Sequence, residues 1–320
     1  MTRTSAVKLD LVDQLDPRQH EPETVKVNIR RLLDEGSLTL KEIERFTSYK
    51  VPTLSQHLNN KYEGDKDRLD QVLVRFWKSW ISKHSIVKTQ AAEEIFAVME
   101  WAWKRKKIAM IVGDNGRGKT TAVQSFCSEH SDDTVYIVLD ATTRVGDFFD
   151  ALAASLGIEA QMSGPASFRK AAIIRALQRK PRMIVIDEAD EIRSRILSTL
   201  RTIWADNEGR CAIVLVGTGE LERMLRLPAN HLRYMDTRIS LRLRVKEMDE
   251  ADAYKLINCY PHSLERAEMK ELCHWANKSS RTQGGTRALA NLMSNAYDLM
   301  QQYELDEINT DCIERAKALM

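Results

Sequence analysis

No stretch limits the fold of this chain more than the octapeptide Gly113-Asp114-Asn115-Gly116-Arg117-Gly118-Lys119-Thr120. An apolar run of strand length, Ile108–Val112, enters it, and a helical pattern running to about His130 leaves it. Glycines at 113, 116 and 118 let the backbone turn tightly with no side chain between its N–H groups and an anion, and Lys119 adds a point charge for outer phosphates. Thr120 offers a hydroxyl to Mg²⁺, and the helix that follows aims its positive end at the same place. The spacing therefore predicts a nucleotide-phosphate loop between a buried strand and a helix, with residues 113–120 and Thr121 as candidate contacts.

Four further apolar runs follow that strand: Val135–Leu139, Met183–Ile186, Ala212–Val216 and Ile239–Val245. They are nearly continuous in apolar residues and are separated by helical stretches, the pattern of an α/β fold with a parallel five-stranded sheet covered on both faces. The run "MIVIDEAD" sets Asp187 at the carboxyl end of a buried strand, where its carboxylate can hold the water shell of Mg²⁺, and puts Glu188 where it can activate an attacking water. "AIVLVGTGEL" ends its strand at Thr218, a neutral polar group suited to holding that water or sensing a γ-phosphate, although a turn threonine would look the same. "LRYMDTRIS" supplies Arg233 and Arg238, and "GGTRALANL" supplies Arg287 at a helix start. Each can meet phosphate charge or make an ordinary surface ion pair.

Ahead of this region lie three short helical patterns and a longer one. Val25, Ile29, Leu32 and Leu33 form a stripe that ends at Gly36. Thr39-x-x-Glu42 is a capping box opening a helix whose buried side would be Leu40, Ile43 and Phe46. Pro52 suits the first turn of a helix carrying Leu54 and Leu58, and Leu69 to Trp80 is strongly amphipathic. Two short helices across a tight turn predict a helix-turn-helix. Thr53, Gln56, His57 and Asn60 are expected on its outer face as candidate DNA contacts, a small bundle for protein contact being the alternative. The expected organisation is a leader over residues 1–24, a helix-turn-helix domain over 25–80, a linker over 81–90, an α/β region over 91–247 and a helical lid over 248–320.

Composition removes several classes. With 43% hydrophobic residues in 320, the chain can bury a real core, yet its apolar runs are strand-sized and its first residues hold no signal-peptide core. Five scattered cysteines without a C-x-x-C pair suit reduced thiols in a cytoplasm. The formal net charge of +2 does not mark a nucleic-acid binder. Any such role has to come from local clusters, at 104–107, 175–182 and 238–246.

Together, "GDNGRGKT", "MIVIDEAD", the strand-end Thr218, an arginine before the last strand and "GGTR" in a helical region resemble the AAA+ ATPases. With "VPTLSQHLNNKYEGD" about 50 residues ahead of the phosphate loop, the order of parts is similar to the MuB and TnsC families of transposition ATPases, over roughly residues 25 to 320. The resemblance implies an ATP- and Mg²⁺-dependent ATPase that binds double-stranded DNA with little sequence preference. It also implies that copies of the chain polymerise on the duplex as a helical filament, recruit a DDE transposase, in some systems with a targeting adaptor, and leave DNA when ATP is hydrolysed. Carried over by motif, Lys119 and Thr120 take phosphate and Mg²⁺, Asp187 and Glu188 form the acidic pair, Thr218 is sensor 1 and Arg287 is sensor 2. Arg238 is the better candidate for a finger acting on a neighbouring subunit, with Arg233 the other; threonine replaces the asparagine of similar sequences at sensor 1. The resemblance also points to the loop after the second strand, where Thr142, Thr143 and Arg144 become candidate DNA contacts, with Thr143 as a simple helix cap the alternative. A helicase loader and an ATP-responsive transcriptional regulator are the competing expectations.

Overall fold

A computed structural model describes residues 21–320 apart from 35, 37, 48, 85–86, 162, 208, 227–232 and 279–284. The leader expected over 1–24 lies almost wholly outside the described residues. In chain order the elements begin with α1 (Pro22–Asp34), α2 (Leu40–Thr47), α3 (Val51–Leu58), α4 (Lys66–His84) and α5 (Gln90–Arg105). Next come β1 (Ile108–Val112), α6 (Lys119–Glu129), β2 (Thr134–Val138), α7 (Val145–Leu156), α8 (Ala166–Arg179), β3 (Met183–Asp187), α9 (Ser194–Asp206), β4 (Ala212–Gly217), α10 (Gly219–Arg226), α11 (Arg233–Asp236) and β5 (Ile239–Arg244). Helices α12 (Glu250–Ile257), α13 (Arg266–Lys278), α14 (Gly285–Gln302) and α15 (Thr310–Ala318) complete the chain.

The chain packs as two units. One combines the residues up to Lys88 with Asp249–His274 and Leu289–Met320; the other combines Thr89–Met248 with Trp275–Ala288. The helical region expected as a lid from residue 248 onward is thus distributed over both.

In the second unit the five strands form one sheet in the order β2-β3-β4-β1-β5, every neighbouring pair parallel. Strands β1, β3 and β4 are buried along their whole length, and only the edge strands β2 and β5 expose residues. That is why the central runs read as continuous apolar sequence. Alternate residues sort to opposite faces. Ile184 and Ile186 join Met110, Ile213 and Leu215 in a core that includes buried residues of α7, α8 and α9, while Val185 joins Ala109, Ile111 and Val214 in one that includes those of α5 and α6. The strand bounds fall within a residue of those expected; β2 begins at Thr134, not Val135, and ends at Val138.

In the first unit, Val25, Ile29 and Leu32 of α1, Ile43 of α2, Leu54 and Leu58 of α3, and Leu69, Leu73, Phe76 and Trp77 of α4 share one core. Each fully buried side chain of this size contributes about 1.5–3 kcal/mol. The capping box forms as read, with the Thr39 backbone N–H donating to Glu42 at 2.8 Å. Two expectations need correction. Phe46 is 38% exposed and meets Phe76 edge-on at 5.4 Å instead of sitting inside the core. His57, expected outside, is 3% exposed, because it lies three residues after Leu54 and so shares the buried face of α3. Its Nε2 sits 2.6 Å from Asp70 of α4, whose carboxylate also holds the buried ammonium of Lys26 at 3.4 Å. Thr53 is half-buried, and Gln56 and Asn60 keep the exposed positions.

Candidate nucleotide site

The phosphate loop joins β1 to α6 at the carboxyl end of the sheet. Gly118 caps α6 at φ 80°, a left-handed conformation that a side chain would strain. Gly113 is needed for a different reason: a Cβ there would lie 3.0 Å from the Val245 Cβ and 3.1 Å from its carbonyl oxygen, where the chain leaving β5 crosses the loop. Lys119, 8% exposed, donates to the carbonyls of Gly113 at 2.7 Å and Asp114 at 2.9 Å. Burial lowers its pKa, against the pull of Glu188, Asp187, Asp190 and Asp114, so the loop and the acidic residues after β3 act on the same ammonium. Thr120 is half-buried, while Asp114, Asn115 and Thr121 are exposed.

Arg117 departs from a simple loop residue. Its side chain is 4% exposed; Nη2 bonds Asp114 at 2.9 Å and Glu247 at 3.2 Å, while Nε and Nη1 are buried with no hydrogen-bond partner among the described residues. The Arg287 backbone N–H donates to the Gly116 carbonyl at 2.9 Å, which fastens the start of α14 to the loop, and the Arg287 side chain is exposed.

Asp187 ends β3 at 2% exposure. Its Oδ1 accepts the Glu188 N–H at 2.9 Å and its Oδ2 accepts the Tyr136 hydroxyl at 2.7 Å. Burial first, and then that hydrogen bond, push the Tyr136 hydroxyl well above its ordinary pKa, so it remains a donor. Glu188 is exposed in a left-handed conformation, φ 52° and ψ 42°, uncommon outside glycine and frequent at functional positions. One buried carboxylate and one hydroxyl are hard oxygen donors of the kind Mg²⁺ takes alongside substrate phosphates, so Asp187 and Thr120 fit that ion.

Thr218 follows β4 and gives its backbone N–H to Asp190 at 2.8 Å and its hydroxyl at 2.9 Å; Asp190 also accepts the Leu221 N–H at 2.7 Å. Asp190 stands three residues after Asp187 but carries no signal of its own in the sequence motif, because only the neighbouring strand shows what it holds. The same holds for Tyr136, whose partner lies on β3.

Arg238 is exposed at the start of β5, its guanidinium 5.8 Å from the Trp204 ring centroid. Ile239 pairs with Ile108, so Arg238 stands at the amino end of the sheet, with the five residues of β1 between it and the phosphate loop. At strand rise that is roughly 16 Å. The side chain of Arg233 lies outside the described residues.

In the loop after β2, Asp140 Oδ1 accepts the N–H groups of Thr142 at 2.7 Å and Thr143 at 2.8 Å and both hydroxyls. These bonds hold its carboxyl below the ordinary range. The cap of α7 is Arg144, not Thr143, and its N–H donates to Asp147 at 2.8 Å. Arg144 and Arg193 remain exposed beside this loop, Arg193 bonding the Ala141 carbonyl at 2.7 Å.

Residues 102–225 match the family described as AAA domain. The "ATP-dependent target DNA activator B" of Escherichia phage Mu is 28% identical over 207 residues, 60% of this chain and 63% of that protein. The chain thus spans about 63% of that relative's length. The "Mu-like prophage FluMu DNA transposition protein B" of Haemophilus influenzae is 21% identical over 275 residues, 82% of this chain and 92% of that one. Among solved structures, Cdc6p from Pyrobaculum aerophilum superposes with a TM-score of 0.55 at 16% identity, covering 72% of this chain and 68% of that one. The Aeropyrum pernix ORC2 protein does so with a TM-score of 0.53 at 16% identity, covering 70% of this chain and 66% of that one.

Proposed function

We propose that this chain, a MuB-like AAA+ ATPase, binds ATP with Mg²⁺, assembles on double-stranded DNA with little sequence preference, selects the target of a transposition reaction and is released by hydrolysis. The observation that carries the reading is a phosphate loop and an acidic strand end acting on one lysine, in a chain similar to a protein named for ATP-dependent activation of target DNA.

In this reading Lys119 leaves the loop carbonyls for the outer phosphates, and the N–H groups of residues 116–120 cradle them. Mg²⁺, held by Thr120 and Asp187, would neutralise charge on the phosphates. Glu188 takes the proton of the attacking water. Asp190 fixes Thr218 beside the γ-phosphate through the two bonds described above. Arg238, at the far end of its own sheet, serves the site of a neighbouring copy, so hydrolysis belongs to the assembly. Duplex DNA is contacted through phosphates near Thr142, Thr143 and Arg144, with the exposed face of α3 as a second contact for DNA or a DDE transposase. The setting is the cytoplasm.

Binding to random-sequence duplexes of increasing length, with ATP, ADP or neither, tests the proposal. Cooperative binding that grows with duplex length only in ATP is expected. Binding that ignores the nucleotide, or that waits for one particular operator, would replace this reading with that of a transcriptional regulator.

A further inference from the structure

Strand parity brings together two side chains that stand 51 residues apart. Tyr136 pairs with Val185 and Val138 with Asp187 across β2 and β3. Tyr136 and Asp187 therefore sit on the same face of the sheet, one step apart along neighbouring strands. Tyr136 packs against the core that includes residues of α6, and its hydroxyl reaches the Asp187 carboxylate at 2.7 Å. The same hydroxyl accepts from Gln124 Nε2 at 3.2 Å. Gln124 lies four residues after Thr120 on α6, on the same side of that helix. A short polar chain thus runs from the helix that carries Thr120, through β2, to the carboxylate at the end of β3.

We infer that Tyr136 is a positioning residue for Asp187, and that its hydroxyl sets the orientation in which that carboxylate meets Mg²⁺. The terminal torsion of an aspartate is soft. Here it is fixed from both sides, by the Glu188 N–H on Oδ1 and by Tyr136 on Oδ2. A neutral donor leaves the carboxylate its charge, so the bond orients the group without cancelling its attraction for a cation. If Tyr136 were only core filling, phenylalanine would serve equally, because the ring supplies all of the packing and Gln124 is exposed enough to turn to water. The inference rests on the nucleotide-site reading.

The test uses the full chain carrying Glu188→Gln, so that turnover is slow on the timescale of binding, and a fluorescent ATP analogue titrated in EDTA and then with rising Mg²⁺. Adding Tyr136→Phe is expected to leave the EDTA affinity within twofold and to raise the half-saturating Mg²⁺ concentration three- to tenfold. Gln124→Leu, which disturbs no buried residue, is expected to move the Mg²⁺ midpoint in the same direction by less. In the Glu188 protein, Tyr136→Phe should recover turnover to within twofold at saturating Mg²⁺. An unchanged Mg²⁺ midpoint in Tyr136→Phe, or in Gln124→Leu should the first variant not fold, overturns the inference and leaves the nucleotide site standing. If the parent protein does not bind the analogue, the nucleotide-site reading itself fails; if it binds no better with Mg²⁺ than in EDTA, Asp187 has no Mg²⁺ to orient toward and the inference fails.

Discussion

Lys119 is the residue on which the proposed nucleotide chemistry turns. Its ammonium is buried against two carbonyls, and burial has lowered its pKa despite four carboxylates acting on it. A phosphate offers that ammonium a full charge in place of two carbonyl dipoles, so binding should stabilise the folded unit measurably. ATP at about a hundred times its Kd is worth about 2.7 kcal/mol. We therefore expect a clear rise in melting temperature with ATP and Mg²⁺ in the native chain and almost none in Lys119→Ala. A full ATP shift in the variant would place the phosphates elsewhere. Glu188→Gln should keep the shift yet lower turnover by at least about a hundredfold, the usual worth of a general base; turnover near the native rate would remove Glu188 from that role. These two residues were legible because the loop spacing and the strand-end acids are local features. Asp190 and Tyr136 were not, since nothing within five residues of either shows which strand will lie beside it.

At the scale of the element, α3 shows how polarity can mislead a helical face. Leu54, His57 and Leu58 follow the spacing of a single buried stripe, and the histidine goes inside because Asp70, which also holds Lys26, is there to meet it. Removing the ring in His57→Ala opens a void and strips the half-buried Asp70 carboxylate of one partner, a loss of about 1–3 kcal/mol. Hydrogen exchange of the α3 amides in the full chain should accelerate about tenfold or more. Gln56→Ala, on the exposed side, should leave that exchange unchanged, and faster exchange there would contradict the packing described. The same cluster predicts a pH dependence. Burial by itself lowers the pKa of Lys26, but Glu23 and Asp70 outweigh it, so the folded value is raised above the ordinary 10.5. Its contribution is fully present below 10.5 and is lost as pH climbs through the higher folded value. The thermal stability of this unit should therefore show no pH dependence from Lys26 up to that point and should fall beyond it, and Lys26→Met should abolish that fall.

At the scale of the molecule, the parallel sheet separates the two ends of the proposed chemistry. Its buried central strands were readable as continuous apolar runs, whereas the order β2-β3-β4-β1-β5 was not, because order depends on which faces the crossing helices cover. That order and the parallel pairing put the phosphate loop, Asp187 and Thr218 at the carboxyl end and Arg238 at the amino end. With the length of β1 between them, Arg238 cannot turn to its own phosphate loop, and the proposed assembly gives it another copy's site to complete. Arg238→Ala should then bind ATP normally and lose about a thousandfold in DNA-stimulated turnover, the lower range for such a cation. Lys119→Ala, conversely, carries an intact arginine and a site that cannot bind. Mixing the two inactive proteins on duplex DNA should restore turnover, greatest near equal amounts, because only mixed neighbours join an intact site to an intact arginine. Recovery with Arg233→Ala in place of Arg238→Ala would transfer the role to that residue, and no recovery with either would mean that each copy hydrolyses ATP alone.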